Sequence, residues 1–349
     1  MRQEELYDVT IIGAGPAGLF SAFYSGLREM KTKVIEYQDR LGGKVHVYPE
    51  KMIWDIGALT PVSGEQLIEQ MVEQAETFDP TMVCNEKVTS IAQDKQGIFT
   101  LHTASGAKHW SKTVIIAIGG GILNPQKLEV DGAEKYEISN LSYTIKSLKR
   151  FKDKTVLISG GGHTAVDWAN ELESIAKKVY LVYRKNELNA HEAQVTQLMN
   201  SSVECLFDTD IKRLIANDTR ERIQEVEVTN KLTNQVSKIE MDELVVNHGF
   251  VREKKLLEES DLNIEMANEY FIASSPYSET SVPGIYGAGD VIKYDGKVHL
   301  IAGAFQDAVN AVNRAKQFIE PTATESGMVS SHNDIFKKRN KKLVAQLMS

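Results

Sequence analysis

Cysteine is the scarcest informative residue in this chain. There are two in 349 residues, Cys84 and Cys205, and no Cys-x-x-Cys. That count excludes a zinc ribbon and a local redox dithiol, leaving two free thiols and no metal site as the expectation. Long apolar runs are also missing, and nothing approaches the ~20 residues of a membrane-spanning helix. Positive charge is in deficit, 40 Lys and Arg against 48 Asp and Glu. A net charge of −8 argues against general nucleic-acid binding, which needs a basic face. Met1-Arg-Gln-Glu-Glu5 runs at once into an apolar strand, so no signal peptide and a cytoplasmic location are expected. The rest of the composition, 42% hydrophobic and 25% charged, is that of a soluble globular protein, and the length suits two domains.

What is present is organised around residues 7–36. An apolar run, Tyr7–Ile12, leads into Gly13-Ala14-Gly15-Pro16-Ala17-Gly18, and the next strand ends at Glu36. Gly13 permits a tight strand-to-helix turn, Gly15 lets a pyrophosphate approach the backbone, and Gly18 lets the helix pack closely on the sheet. Unpaired N–H groups at the helix start favour the pyrophosphate, and Glu36 can accept both hydroxyls of an adenosine ribose. Gly42-Gly43 reads either as a plain turn or as backbone passing under a flat cofactor. A helix is expected over 64–78 with Ser63 as its cap. A small antiparallel insertion then closes with the buried strand Thr113–Ile118 and Gly119-Gly-Gly121.

A second copy begins at Thr155. Its turn is Gly160-Gly161-Gly162-His163-Thr164-Ala165, with alanine in place of the third glycine, where only small size matters. Its second strand ends in Tyr183-Arg184-Lys185 rather than in an acid. A carboxylate there would repel a 2′-phosphate, whereas a guanidinium binds it bidentately, which favours NADP over NAD. The plainer alternative is two solvated basic residues. Segment 203–251 repeats the insertion and return strand. The first plan resumes at Val282–Asp290, where Gly287-Ala288-Gly289-Asp290 offers either a turn residue or a carboxylate for a ribitol chain. A helix over 300–319 follows, its amino end placed to face negative charge developing on a flavin ring. From Glu320 the chain turns polar, and 335–348 carries Lys337, Lys338, Arg339, Lys341 and Lys342. That run is either a solvated helix end or a landing patch for an acidic partner.

Taken together, these motifs resemble the two-dinucleotide-binding-domain flavoproteins, most closely the thioredoxin-reductase-like class. The fold implied is α/β, two Rossmann-like dinucleotide-binding domains with the NADP domain inserted in the FAD domain. The FAD domain would take 1–122 and 282–349, with a short C-terminal extension from about 320, and the NADP domain 123–281. The domains would rotate about linkers near 121–125 and 276–284. Thioredoxin reductase itself carries a Cys-x-x-Cys before its NADPH motif, where this chain has Leu141–Ser147 without sulfur. The chain is therefore most similar to the ferredoxin–NADP(+) reductases of this type.

That resemblance implies FAD on Gly13, Gly15, Pro16, Ala17, Gly18, Glu36, Lys44, Val88, Leu123, Asp290 and Ser331, with Tyr48 stacked on the isoalloxazine. It implies NADP(H) on Gly160, Gly162, His163, Thr164, Ala165, Arg184 and Lys185, a homodimer, and ferredoxin or flavodoxin as partner. Near Ser331, the residue over the other ring face would be Val329 or His332. NADPH would give a hydride to flavin N5, and single electrons would pass to the acceptor, with no general base needed. Two other readings remain: an NAD(P)H-flavin oxidoreductase using a quinone or another small acceptor, and a flavin-binding module without turnover.

Overall fold

In a computed structural model that describes residues 6–121, 124–251 and 255–348, the chain forms two compact units. In chain order, β1 (Leu6–Ile12), α1 (Pro16–Leu27) and β2 (Thr32–Ile35) open the first unit. Then come α2 (Gly64–Ala75), β3 (Thr81–Val83), β4 (Val88–Gln93), β5 (Phe99–Thr103) and β6 (Lys108–Ile116). The second unit holds β7 (Leu141–Ser142), β8 (Thr155–Ser159), α3 (His163–Glu173), β9 (Lys178–Val182), α4 (Glu192–Met199) and β10 (Glu204–Leu206). It continues with β11 (Thr209–Ala216), β12 (Ile223–Asn230), β13 (Val236–Glu240) and β14 (Glu243–Val246). The first unit resumes with β15 (Ile285–Gly287), α5 (Ile301–Ile319) and α6 (Lys337–Leu347). Among the described residues no helix is long and apolar enough to cross a membrane.

In the first unit, β3, β2, β1, β6 and β15 pair in parallel in that order. Their near-continuous apolar runs suit strands covered on both faces, and Val9, Ile11, Val114, Ile115 and Ile116 are fully buried. One edge of β6 is shared. Its first half pairs antiparallel with β5 (Leu101 opposite His109), and its second half pairs parallel with β15 (Ile116 opposite Gly287). The expected helix at Ser63 forms with a full capping box, Gln66 N to Ser63 Oγ and Ser63 N to Gln66 Oε1, each 3.2 Å.

The second unit repeats the plan with the parallel order β7-β14-β8-β9-β10. Here the insertion is a separate three-stranded antiparallel sheet, β11-β12-β13. The buried carboxylate of Glu243, at the start of β14, meets Lys154 Nζ at 2.6 Å, Arg150 Nε at 2.9 Å and Arg222 at 3.3 Å.

Two boundaries differ from the sequence expectation. The segment from Lys255 to 281 belongs to the first unit, because Leu256, Ile264 and Ile272 pack in one core with Phe99, Ile116 and Ile285. The second crossing between units therefore falls at 251–255 rather than at 276–284. Conversely, Val47–Lys51 belongs to the second unit. Lys51 pairs with Asp167 and, at 3.2 Å, with Glu171, and its ammonium lies 4.4 Å from the Trp168 ring centroid.

Candidate functional site

The first unit gathers four separate stretches at the carboxyl ends of its parallel strands, where open α/β sheets bind ligands. Gly13 has φ +100, and a Cβ there would lie 2.5 Å from the Ala117 carbonyl oxygen. A Cβ on Gly18 would meet the Gly13 oxygen at 1.9 Å, so the helix packs on the turn with no room for a methyl. Gly15 is the N-cap of α1 and Pro16 its first residue, and no side chain caps that end. The Gly42-Gly43 turn crosses directly over this loop. Gly42 N donates to Ala14 O at 2.8 Å, and a Cβ on Gly43 would stand 2.8 Å from the Gly15 Cα. These glycines thus lie backbone against backbone.

Glu36 is buried, and its two oxygens accept from Ala14 N at 2.7 Å and Gln38 N at 2.8 Å. A carboxylate offers about four acceptor directions, so roughly two remain for a diol. The fourth stretch is Gly289-Asp290, whose Gly289 (φ +81) would carry a Cβ 3.0 Å from that of Ala17. Asp290 is half exposed, 3.6 Å from His299 Nδ1. An uncapped helix start, a glycine cradle and a carboxylate with spare acceptors fit a dinucleotide. Burial, with Glu36 and Asp39 nearby, pushes the Cys84 thiol up, and both cysteines are free.

Other residues named from the sequence are placed differently. Lys44 is exposed on the short turn Gly43–Val47. The Val88 side chain is 6% exposed and faces the core. Tyr48 packs against the core of the second unit. Leu123 lies outside the described residues. Ser331, Val329 and His332 are exposed on the extension, which is tied back to α1 and to the short turn Glu76–Phe78 that follows α2. Gly327 N donates to Tyr24 Oη at 3.1 Å, Arg28 donates to Thr324 O at 2.8 Å, and the Phe336 and Phe78 rings are 5.5 Å apart.

In the second unit, Gly160 (φ +148) would carry a Cβ 2.4 Å from Asn247 O, and Gly162 is the uncapped N-cap of α3. His163 and Thr164 follow on the exposed first turn, and Ala165 is fully buried. The loop after β9 folds back over this turn. Asn189 N donates to Gly161 O at 2.8 Å, and the His163 and His191 rings lie 4.5 Å apart. Arg184 and Lys185 are exposed at the strand end, and the Lys231 ammonium donates to the Arg184 carbonyl, adding a third cation. His248 Nε2 is 2.8 Å from Ser159 Oγ. Lost hydration and the Arg184 charge lower the His248 pKa, with Glu129 opposing. The turn and three cations fit a phosphorylated dinucleotide. Sequence reading missed Lys231, His191 and His248. Only His191, seven residues beyond Arg184, carried a local signal.

Comparison with known proteins gives a consistent result. A family model described as pyridine nucleotide-disulphide oxidoreductase matches residues 7–315. Among curated relatives, ferredoxin–NADP reductase 1 of Bacillus mycoides is 66% identical over 348 residues and covers all of both chains. The Bacillus licheniformis protein of the same name is 62% identical over 347 residues, 99% of each chain. Among solved structures, thioredoxin reductase of Lactococcus lactis matches with a TM-score of 0.74 at 27% identity, covering 90% of this chain and 99% of that one.

Proposed function

The chain belongs to the pyridine nucleotide-disulphide oxidoreductase family, and we propose that it moves electrons between NADPH and ferredoxin or flavodoxin as a ferredoxin–NADP reductase. It is an FAD- and NADP(H)-using oxidoreductase of the thioredoxin-reductase-like fold. The observation that carries the two-nucleotide reading is the opposite chemistry at two equivalent strand ends, a carboxylate at Glu36 and a cation cluster at Arg184. The choice of ferredoxin or flavodoxin as acceptor rests on the full-length relatives of that name.

FAD, when bound, supplies the conversion between a two-electron donor and one-electron acceptors. The chain's own residues bind and orient. In the first unit, the N–H groups at the start of α1 take the pyrophosphate, Glu36 the adenosine ribose, and Asp290 the ribityl hydroxyls. The amino end of α5 favours negative charge near it. In the second unit, the start of α3 takes a pyrophosphate, and Arg184 and Lys185, with Lys231 behind them, take a 2′-phosphate. Tyr48 is assigned to guard one ring face on the strength of the resemblance. Its replacement by alanine should alter flavin absorbance and turnover, and unchanged values would remove that assignment. The same reading has the chain work as a homodimer in the cytoplasm.

The deciding experiment is NADPH-driven cytochrome c reduction with and without added ferredoxin or flavodoxin. Dependence on the carrier protein is expected. Equal rates without it would point to a quinone or small-molecule acceptor, and flavin that NADPH does not bleach would point to a module without turnover.

A further inference from the structure

We propose that Asp307 is a positioning residue for FAD: its carboxylate, paired with Lys297, holds the Gly289 N–H and with it the turn that presents Asp290. The proposal rests on the assignment of FAD to that turn. Asp307 lies on α5, and its side chain and that of Lys297 are 0% and 2% exposed. Oδ2 accepts from Lys297 Nζ and from Gly289 N, each at 3.0 Å, and Oδ1 accepts from Tyr294 Oη at 2.8 Å. Burial and the Asp307 carboxylate push the Tyr294 phenol up to about 12, so it remains a donor.

Packing alone does not call for such a pair. Taking two charges out of water costs several kcal/mol per ion, and an apolar pair of equal volume fills the same space without that cost. What an apolar pair would lack is an acceptor for the Gly289 N–H, which sits at φ +81 against Ala17. A second tie runs the same way. Buried Ser278 donates to the Asp307 carbonyl at 2.9 Å, and Gly287 N donates to Ser278 O at 3.0 Å. Lys297 also donates to Val298 O at 2.8 Å, the atom that a Cβ on Gly303 would meet at 2.3 Å. The carboxylate therefore joins Gly289, Tyr294 and Lys297 to α5, while the main-chain carbonyl of the same residue ties Gly287 to α5 through Ser278.

The test is the rate at which diluted holoenzyme releases FAD, followed by the fluorescence of freed flavin, alongside NADP+ affinity. Asp307→Leu with Lys297→Met removes the charges and the acceptor; roughly tenfold or faster release is expected, with NADP+ affinity unchanged. Asp307→Asn with Lys297→Met removes the charges but keeps a side-chain carbonyl for Gly289; release within about threefold of the parent is expected. Equal release in all three proteins, or equal acceleration in both variants, overturns the proposal. If the Leu/Met variant does not fold, Tyr294→Phe removes one donor to the carboxylate, and unchanged release there counts against it. Asp290→Ala separates the two levels. Parent-like release in Asp290→Ala sinks the site assignment itself; fast release there with slow release in the Asp307 variants sinks only the positioning role.

Discussion

In the first unit the glycine turn closes with no room for a methyl and the following strand ends in Glu36, held by two backbone N–H groups. In the second, the same position of the turn carries Ala165, and the strand runs on into Arg184 and Lys185, with Lys231 reaching the Arg184 carbonyl. Both helix starts lack a side-chain cap, whereas α2, which has no such turn before it, is fully capped by Ser63 and Gln66. The starts of α4, α5 and α6 also lack a side-chain cap, so what sets α1 and α3 apart is the glycine turn that leads the backbone into the open N–H groups. On the proposed assignment, one backbone plan fixes where a dinucleotide lies, and a few side chains at one strand end decide which dinucleotide it is.

The sharpest way to break this comparison is at the third small residue. Gly18→Ala forces its methyl onto a carbonyl oxygen at 1.9 Å; the purified variant should be colourless and destabilised by about 1–3 kcal/mol or more. Ala165→Gly, the mirror change, should cost only about 1 kcal/mol and keep NADPH binding. Visible absorbance and thermal melts check both, and equal losses would show that the two turns are equally tight after all.

The strand ends come next. Arg184→Ala should raise KM for NADPH roughly 10- to 150-fold and leave NADH almost unaffected. Parallel changes for the two nucleotides would remove the phosphate assignment.

Smallest is a pH effect. Lost hydration with Arg184 lowers the pKa of His248, and lost hydration with Lys33 lowers that of His109 in the first unit, against Glu86. The folded chain therefore favours both neutral rings. Their contribution to stability is complete above about pH 6.5, the unfolded value, and is lost as pH falls through the lowered folded values. Replacing either by Gln should flatten the fall in Tm on the acid side, and an unaltered acid limb would show that neither ring is perturbed.

Much of this was legible in the sequence, because a glycine turn is a local constraint. Gly18 is required by the Gly13 carbonyl of its own turn, and Gly13 and Gly160 have the positive φ that such a turn needs. The atoms that crowd those two, Ala117 O and Asn247 O, come from the end of a neighbouring strand. The capped helix at Ser63 is equally local. What escaped was assembled over distance. Lys231 reaches Arg184 from a hairpin 47 positions on, and Arg150 and Lys154 from one stretch and Arg222 from another converge on Glu243. The segment after 255 misled for a related reason: Leu256, Ile264 and Ile272 are apolar whichever core receives them. Tyr48 shows the same limit, since Val47–Lys51 sits with the second unit while both its flanks belong to the first.

The shared edge of β6 imposes an order on synthesis. Its parallel neighbour, β15, and the Gly289-Asp290 turn that follows come after the whole second unit in the chain. On the ribosome, the inserted unit has all its strands in hand and can close while the outer one is still missing its last parallel strand and α5. A nascent chain whose residues through 251 have emerged from the ribosome should already capture the nucleotide of the second unit. It should remain unable to retain flavin until the residues through α5 have emerged.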